Sequence, residues 1–261
     1  MKILEVDIPK YLELYYVGDV HYPRGNIKDF RSVLKHISKK KYRWMIGMGD
    51  FIEAINQQDT RYNPEEMASI IHEYGSPMNM INEQWRAFEK DISILKDNNV
   101  FLLAGNHEFQ YTKRTSFNYL KMLCERLGFE YMGDGFSALI MNRKKSRVIS
   151  VQTHGCGAGV SVGYPFTKLE QYSHIIAEPD ILALGHVHKL GVNVVTDRLK
   201  LEDNVLRQKP QYHIVTGSFL TNYNLNGSNY AERKGYKPLP IGYIKVEVEN
   251  GVINRVYPVV L

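Results

Sequence analysis

The chain has 261 residues, 44% of them hydrophobic and 23% charged. That balance excludes a disordered polyelectrolyte and leaves enough apolar surface for a core that needs no disulfide or structural metal. Its 33 Lys and Arg against 28 Asp and Glu give a net charge of +5, which suits a polyanionic partner without requiring one.

Residues 1–14, MKILEVDIPKYLEL, carry Glu5 and Asp7 and lack a long apolar core, so they do not read as a signal peptide. No run approaches the roughly 18 apolar residues of a membrane span, and no membrane partner is expected. Two cysteines, Cys124 and Cys156, do not make a disulfide framework. A reduced, cytoplasmic setting follows as the default.

Several apolar runs each end in a polar cluster. They are LELYYVGDVH (12–21), RWMIGMGD (43–50), VFLLAGNHE (100–108), RVISVQTHG (147–155), ILALGHVH (181–188) and YHIVTGSF (212–219). Short apolar runs stopped by glycine predict buried strands. Each cluster then falls just past a strand's C-terminal end, where open α/β sheets bind ligands. Between them, residues 27–40, 64–75, 82–99 and 116–128 show helical spacing, the last ending at Gly128 as a C-cap. Residues 136–142 and 147–153 predict strands joined by a basic turn, RKKSR. The strands on either side of Asn250-Gly251 predict a hairpin. No linker interrupts the pattern, so one α/β domain over 1–261, with no separate capping domain, is expected.

The clusters are Asp19-Val20-His21, Gly49-Asp50, Gly105-Asn106-His107-Glu108, Thr153-His154-Gly155 and Gly185-His186-Val187-His188. Carboxylate oxygens and imidazole nitrogens are the ligands of zinc and of harder divalent cations. In an extended segment residues i and i+2 point the same way, so D-x-H and H-x-H each aim two side chains at one place. Any one cluster arises often by chance. Five in one order, nearly all beside glycine, do not.

This set resembles the calcineurin-like metallophosphoesterases, whose pattern runs D-x-H, G-D, G-N-H-[DE], H, G-H-x-H. The chain matches each element, over residues 19 to 188. The resemblance implies a four-layer αββα sandwich, two mixed sheets flanked by helices, the metallo-dependent phosphatase fold. It also implies two divalent metals, with manganese favoured over iron or zinc. One metal would be held by Asp19, His21, Asp50 and His188, the other by Asp50, Asn106, His154 and His186, with Asp50 as the bridge. A hydroxide between the metals would attack the phosphate ester, and His107 would protonate the leaving oxygen.

Glu53 stands three positions after Asp50, as does an acidic residue in the phosphoprotein phosphatase branch that pairs with the catalytic histidine. It is therefore a candidate to orient His107; the other reading is an exposed helix-start glutamate. That branch continues with an arginine that grips phosphate, where this chain has Ala54, so a protein phosphatase is disfavoured. A phosphatase or phosphodiesterase is expected. The alternatives are a DNA nuclease resembling those of double-strand-break repair, with nucleic acid as its partner, and a non-catalytic scaffold of the same fold. Residues 56–82 and the basic, tyrosine-bearing segment 229–240 either shape the cleft or are plain surface. Cys156 reads either as an oxidisable neighbour of the metals or as a small buried residue.

Overall fold

The computed structural model describes residues 1–54, 80–157, 161, 163–175, 179–195, 199–202, 205–220 and 237–261. The helix expected over 64–75, most of 56–82 and most of 229–240 lie outside these residues.

One sheet orders its strands β14-β13-β2-β3-β4-β5, and the other β1-β6-β7-β8-β12-β9. In the first, β2 (Tyr11–Val17), β3 (Arg43–Gly47), β4 (Val100–Leu102) and β5 (Glu130–Tyr131) run parallel. The hairpin of β13 (Gly242–Glu249) and β14 (Val252–Val260) pairs antiparallel along β2. In the second, β7 (Ser146–Thr153), β8 (Ile181–Leu184) and β12 (Gln211–Thr216) are parallel. Antiparallel neighbours flank them: β6 (Ser137–Arg143) beside β7 and β9 (Leu190–Val195) beside β12; β1 (Lys2–Asp7) runs parallel to β6 at the edge. A separate ribbon joins β10 (Leu199–Glu202) and β11 (Val205–Gln208).

Side-chain alternation builds the layers. On β2, Leu12, Leu14 and Tyr16 point between the sheets, where they join Ile46, Met48 and Phe101 against Leu139, Met141, Ile181 and Ile214. Tyr15 and Val17 point the other way. They pack under Phe30, Val33, Leu34 and Ile37 of α1 (Ile27–Ser38) and Trp85, Phe88 and Ile92 of α2 (Met80–Ile92). The outer face of the second sheet buries Val151, Leu182 and Leu184 against Leu169 of α5 (Tyr164–Ile175). Strands covered on both faces read as continuous apolar runs, which is why they stand out in the sequence. The result is two mixed sheets with helices outside, the metallo-dependent phosphatase fold. Among the described residues no helix is long and apolar enough to cross a membrane.

Two further helices complete the first sheet's flank. α3 (Asn106–Thr115) starts inside a polar cluster directly after β4, and α4 (Tyr119–Leu127) ends at Gly128, whose φ of 70° makes the expected left-handed cap. Asn250 and Gly251, at φ 54° and 77°, form the expected hairpin turn.

Candidate metal centre

The C-terminal ends of β2, β3, β4, β7 and β8 meet on one edge of the two sheets. The loops that follow carry Asp19 and His21, Asp50, Asn106 and His107, His154, and His186 and His188. Backbone bonds tie the loops together: Asp19 N–H donates to Gly49 O at 2.8 Å, and His21 N–H to Asp50 O at 3.0 Å. The two sheets are joined here as well, because His186 N–H donates to the Asp19 carboxylate at 3.0 Å.

The side chains converge, though not by strand alternation. Asp19, His21, Asp50, His186 and His188 all have left-handed backbone, with φ of 51°, 54°, 51°, 65° and 53°. Each such non-glycine residue costs on the order of 1–3 kcal/mol. The D-x-H and H-x-H pairs therefore aim inward through tight turns past the strand ends, which corrects the extended geometry expected from the spacing. Glycine is required where these turns touch. A Cβ on Gly105 would sit 2.1 Å from Asp50 Oδ1, and one on Gly49, at φ 92°, would sit 2.5 Å from Gly105 N.

Asp19, His21 and His188 offer ligand atoms within 4.8 Å of one another, as do Asp50, His154 and His186, and a third group of His21, Glu53 and His107 adjoins the first. In the first, His188 Nε2 lies 3.2 Å from Asp19 Oδ1 and 3.2 Å from His21 Nε2. In the second, His154 Nε2 lies 3.1 Å from Asp50 Oδ2 and 3.0 Å from Asn106 Oδ1. The tautomers follow from the partners. His154 Nδ1 donates to Met48 O at 2.7 Å, and a carbonyl can only accept, so Nε2 is left to face the centre. His21 Nδ1 donates to Glu53 Oε2 at 2.9 Å, which frees its Nε2 in the same way.

A cation fits this donor set. His186 Nδ1 is buried and has no hydrogen-bond partner, and Asp19 Oδ1 is buried with no well-formed hydrogen bond, although the imidazole of His188 stands 3.2 Å from it. Buried polar atoms without such bonds are costly, and two of them facing a cluster of carboxylate, imidazole and amide oxygen suit divalent metals.

His107 sits at the start of α3. Its N–H donates to Asp50 Oδ1 at 2.9 Å, and its ring Nδ1 hydrogen-bonds the backbone carbonyl of Glu53. Nε2, 3.8 Å from Asp50 Oδ2, faces the cluster. The hydrogen bond between His107 and Glu53 runs through the Glu53 carbonyl, while a Glu53 carboxylate oxygen stays within 4.8 Å of a His107 ring nitrogen. Glu53 gives His107 its carbonyl and turns its carboxylate to His21 and to Arg24, whose Nη1 lies 3.1 Å from Oε1. Nor is Glu53 exposed, being 4% accessible. Burial alone would raise its pKa, but His21, then His107 and Arg24, hold it well below the usual carboxylate range.

Two partners were given no role from the sequence. Arg24 has no signal of its own, because it meets Glu53 only in the fold. Glu108 lies in the G-N-H-E cluster, three residues after the helix-opening Gly105, a spacing that does signal capping. Its carboxylate accepts the N–H of Gly105 at 2.7 Å and also those of Asp50, Phe51 and Ile52 at 2.9, 2.7 and 3.2 Å. It thereby ties the Asp50 loop to the start of α3. Cys156 is exposed rather than buried, and Lys168 Nζ lies 3.7 Å from its sulfur.

Among solved structures, Vps29 from Chaetomium thermophilum is similar over 96% of this chain and 97% of its own, at 9% identity and a TM-score of 0.42. Wild-type Vps29 from Entamoeba histolytica, complexed with Zn²⁺, matches over 95% and 99%, at 11% identity and a TM-score of 0.40. A phosphatase from Mycoplasma pneumoniae matches over 96% and 93%, at 11% identity and a TM-score of 0.41. No curated protein matches the sequence. The sequence profile of the calcineurin-like phosphoesterases matches residues 13–190, a span that holds every cluster from Asp19 to His188. The chain belongs to the calcineurin-like phosphoesterase family.

Proposed function

We propose that this chain hydrolyses phosphate esters with two divalent metals, manganese favoured, held by Asp19, His21, Asp50, Asn106, His154, His186 and His188. The observation that carries the reading is the pair of atoms, Asp19 Oδ1 and His186 Nδ1, buried without a well-formed hydrogen bond in a ring of ligand-type side chains. Bound metals would polarise the phosphoryl oxygens and lower the pKa of water so that it attacks at neutral pH.

The protein's own groups do the rest. Asp50 belongs to the second ligand group, and its other oxygen accepts the His107 N–H, so one carboxylate fixes both the centre and the start of α3. His107, with Nδ1 committed to the Glu53 carbonyl, presents Nε2 as the proton donor to the leaving oxygen. Glu53 orients His21 as a carboxylate–histidine pair behind a ligand.

The test is metal content of the purified chain together with a panel of p-nitrophenyl phosphate, bis-p-nitrophenyl phosphate, cyclic nucleotides, and single- and double-stranded DNA, with Mn²⁺ added. Two metals per chain and turnover of at least one ester are expected. Tight metal binding without turnover of any ester would turn the reading to a scaffold.

A further inference from the structure

An open cavity of about 340 Å³ is continuous with the candidate metal centre, its wall including Asn106, His154, Phe109 and Asp134. Its size is that of a small-molecule site. Phe109 follows Asn106 by three residues on α3, so the two share one side of the helix. Phe109 is 46% exposed, although the helix has a core at hand. Asp134 is on the turn between β5 and β6. That turn is pinned beside α3, because Ala104 N–H donates to Gly133 O and Met132 N–H to Leu102 O, both at 2.8 Å.

Asp134 is exposed and has no hydrogen bond or ion pair to any described residue. A carboxylate next to a phosphate site repels the phosphate, so its use lies with another part of the substrate. Ionised, it can only accept hydrogen bonds, and it offers two oxygens side by side. An exposed aromatic side chain lining the same cavity supplies the other half of base recognition, by stacking. Among the common nucleobases, guanine alone presents two adjacent donors, N1–H and N2–H₂, on its pairing edge.

We propose that this cavity is a base subsite that takes the guanine arm of a nucleotide ester, with Phe109 against the ring and Asp134 against the donor edge. The inference rests on the hydrolase reading for the placing of the phosphate, but its test does not depend on turnover.

Calorimetry with the Mn²⁺-loaded protein should show GMP binding about tenfold or more tighter than UMP. Asp134→Asn offers one acceptor and one donor, the complement of xanthine, and should move the preference from GMP to XMP. A side chain with a merely structural role would not produce that reversal. Phe109→Ala should weaken both nucleotides alike. Hydrolysis of p-nitrophenyl phosphate and its bis ester, which carry no base, reports separately on the hydrolase. Hydrolysis of those esters with GMP binding no tighter than UMP, or with the GMP preference unchanged in Asp134→Asn, would overturn the base subsite and leave the hydrolase standing. Asp134-dependent GMP binding without hydrolysis of either ester would do the reverse. Phosphocholine binding that outcompetes GMP and needs both side chains would show a cation site instead and sink the proposal.

Discussion

Strand β2 has a buried cluster of charges at each end, and the two are built on opposite principles. At its start, Glu13 is saturated. Oε1 accepts from Tyr11 OH and Lys245 Nζ at 3.0 and 2.9 Å, and Oε2 from Tyr15 OH and Arg43 Nε at 2.7 and 2.8 Å. Six residues later, Asp19 keeps Oδ1 buried with no well-formed hydrogen bond, and its backbone is left-handed. Both carboxylates are buried, at 5% and 0% accessible, so exposure to solvent does not separate them. Satisfaction does. A folded chain can fill the valences of a buried carboxylate, as it does at Glu13, whereas Asp19 Oδ1 has imidazole nitrogens beside it and no well-formed hydrogen bond, an arrangement that suits a bound cation.

The comparison breaks most sharply at Asp50. Asp50→Asn removes the charge beside His154 and should abolish metal binding in the second group together with ester hydrolysis, by more than the 10–100-fold typical of residues behind a ligand. Metal analysis alongside turnover checks this; a variant with two metals and full activity would remove Asp50 from the centre. His107→Asn should keep both metals and lose about 10²–10⁴-fold in rate. The loss should be larger for an alkyl ester than for a nitrophenyl ester, whose leaving group needs little protonation. Equal losses on the two would argue against proton donation.

Glu53 tests whether its partner is His21 or His107. With its carboxylate on His21, Glu53→Gln should weaken metal binding about 10–100-fold, chiefly in the Asp19, His21 and His188 group. Combined with His107→Asn, the losses should add, because the two side chains act on different groups. Non-additive losses with metal content unchanged would instead restore a His107 pairing.

The sequence reveals the candidate ligands but not what stands behind them, and the reason is physical. The candidate ligand residues sit in short clusters at strand ends because each loop must deliver them within a few residues. Their identity and their glycine neighbours are therefore local information. The partners of Glu53 and of His154 Nδ1 are set by chain segments that meet only after folding, at Arg24, His21 and Met48. The same holds for the fold. Strands covered on both faces, such as β3 and β8, are plain in the sequence. β1 is not, since its residues alternate between exposed and half-buried at a sheet edge, and neither is α3, which begins inside a ligand cluster.

The saturated end should respond in stability and not in chemistry. Burial alone would raise the Glu13 pKa, but hydrogen bonds from Lys245, Tyr15, Arg43 and Tyr11 outweigh it and bring the value from 4.5 down to about 2. A carboxylate whose folded pKa is depressed stabilises the fold fully above its unfolded pKa. That stabilisation is therefore present above about pH 4.5 and is lost as the pH falls towards about 2. Glu13→Gln leaves Arg43 and Lys245, both mostly buried, without a charged acceptor, and should cost about 1.5–3 kcal/mol at neutral pH. Denaturant unfolding of the two proteins at pH 7 and near pH 2.5 checks the sign, since the gap between them should narrow at the acid end. Metal content should be unchanged at pH 7, because the cluster lies at the far end of β2 from Asp19. A gap that held constant with pH would mean that packing, rather than charge, is what Glu13 contributes.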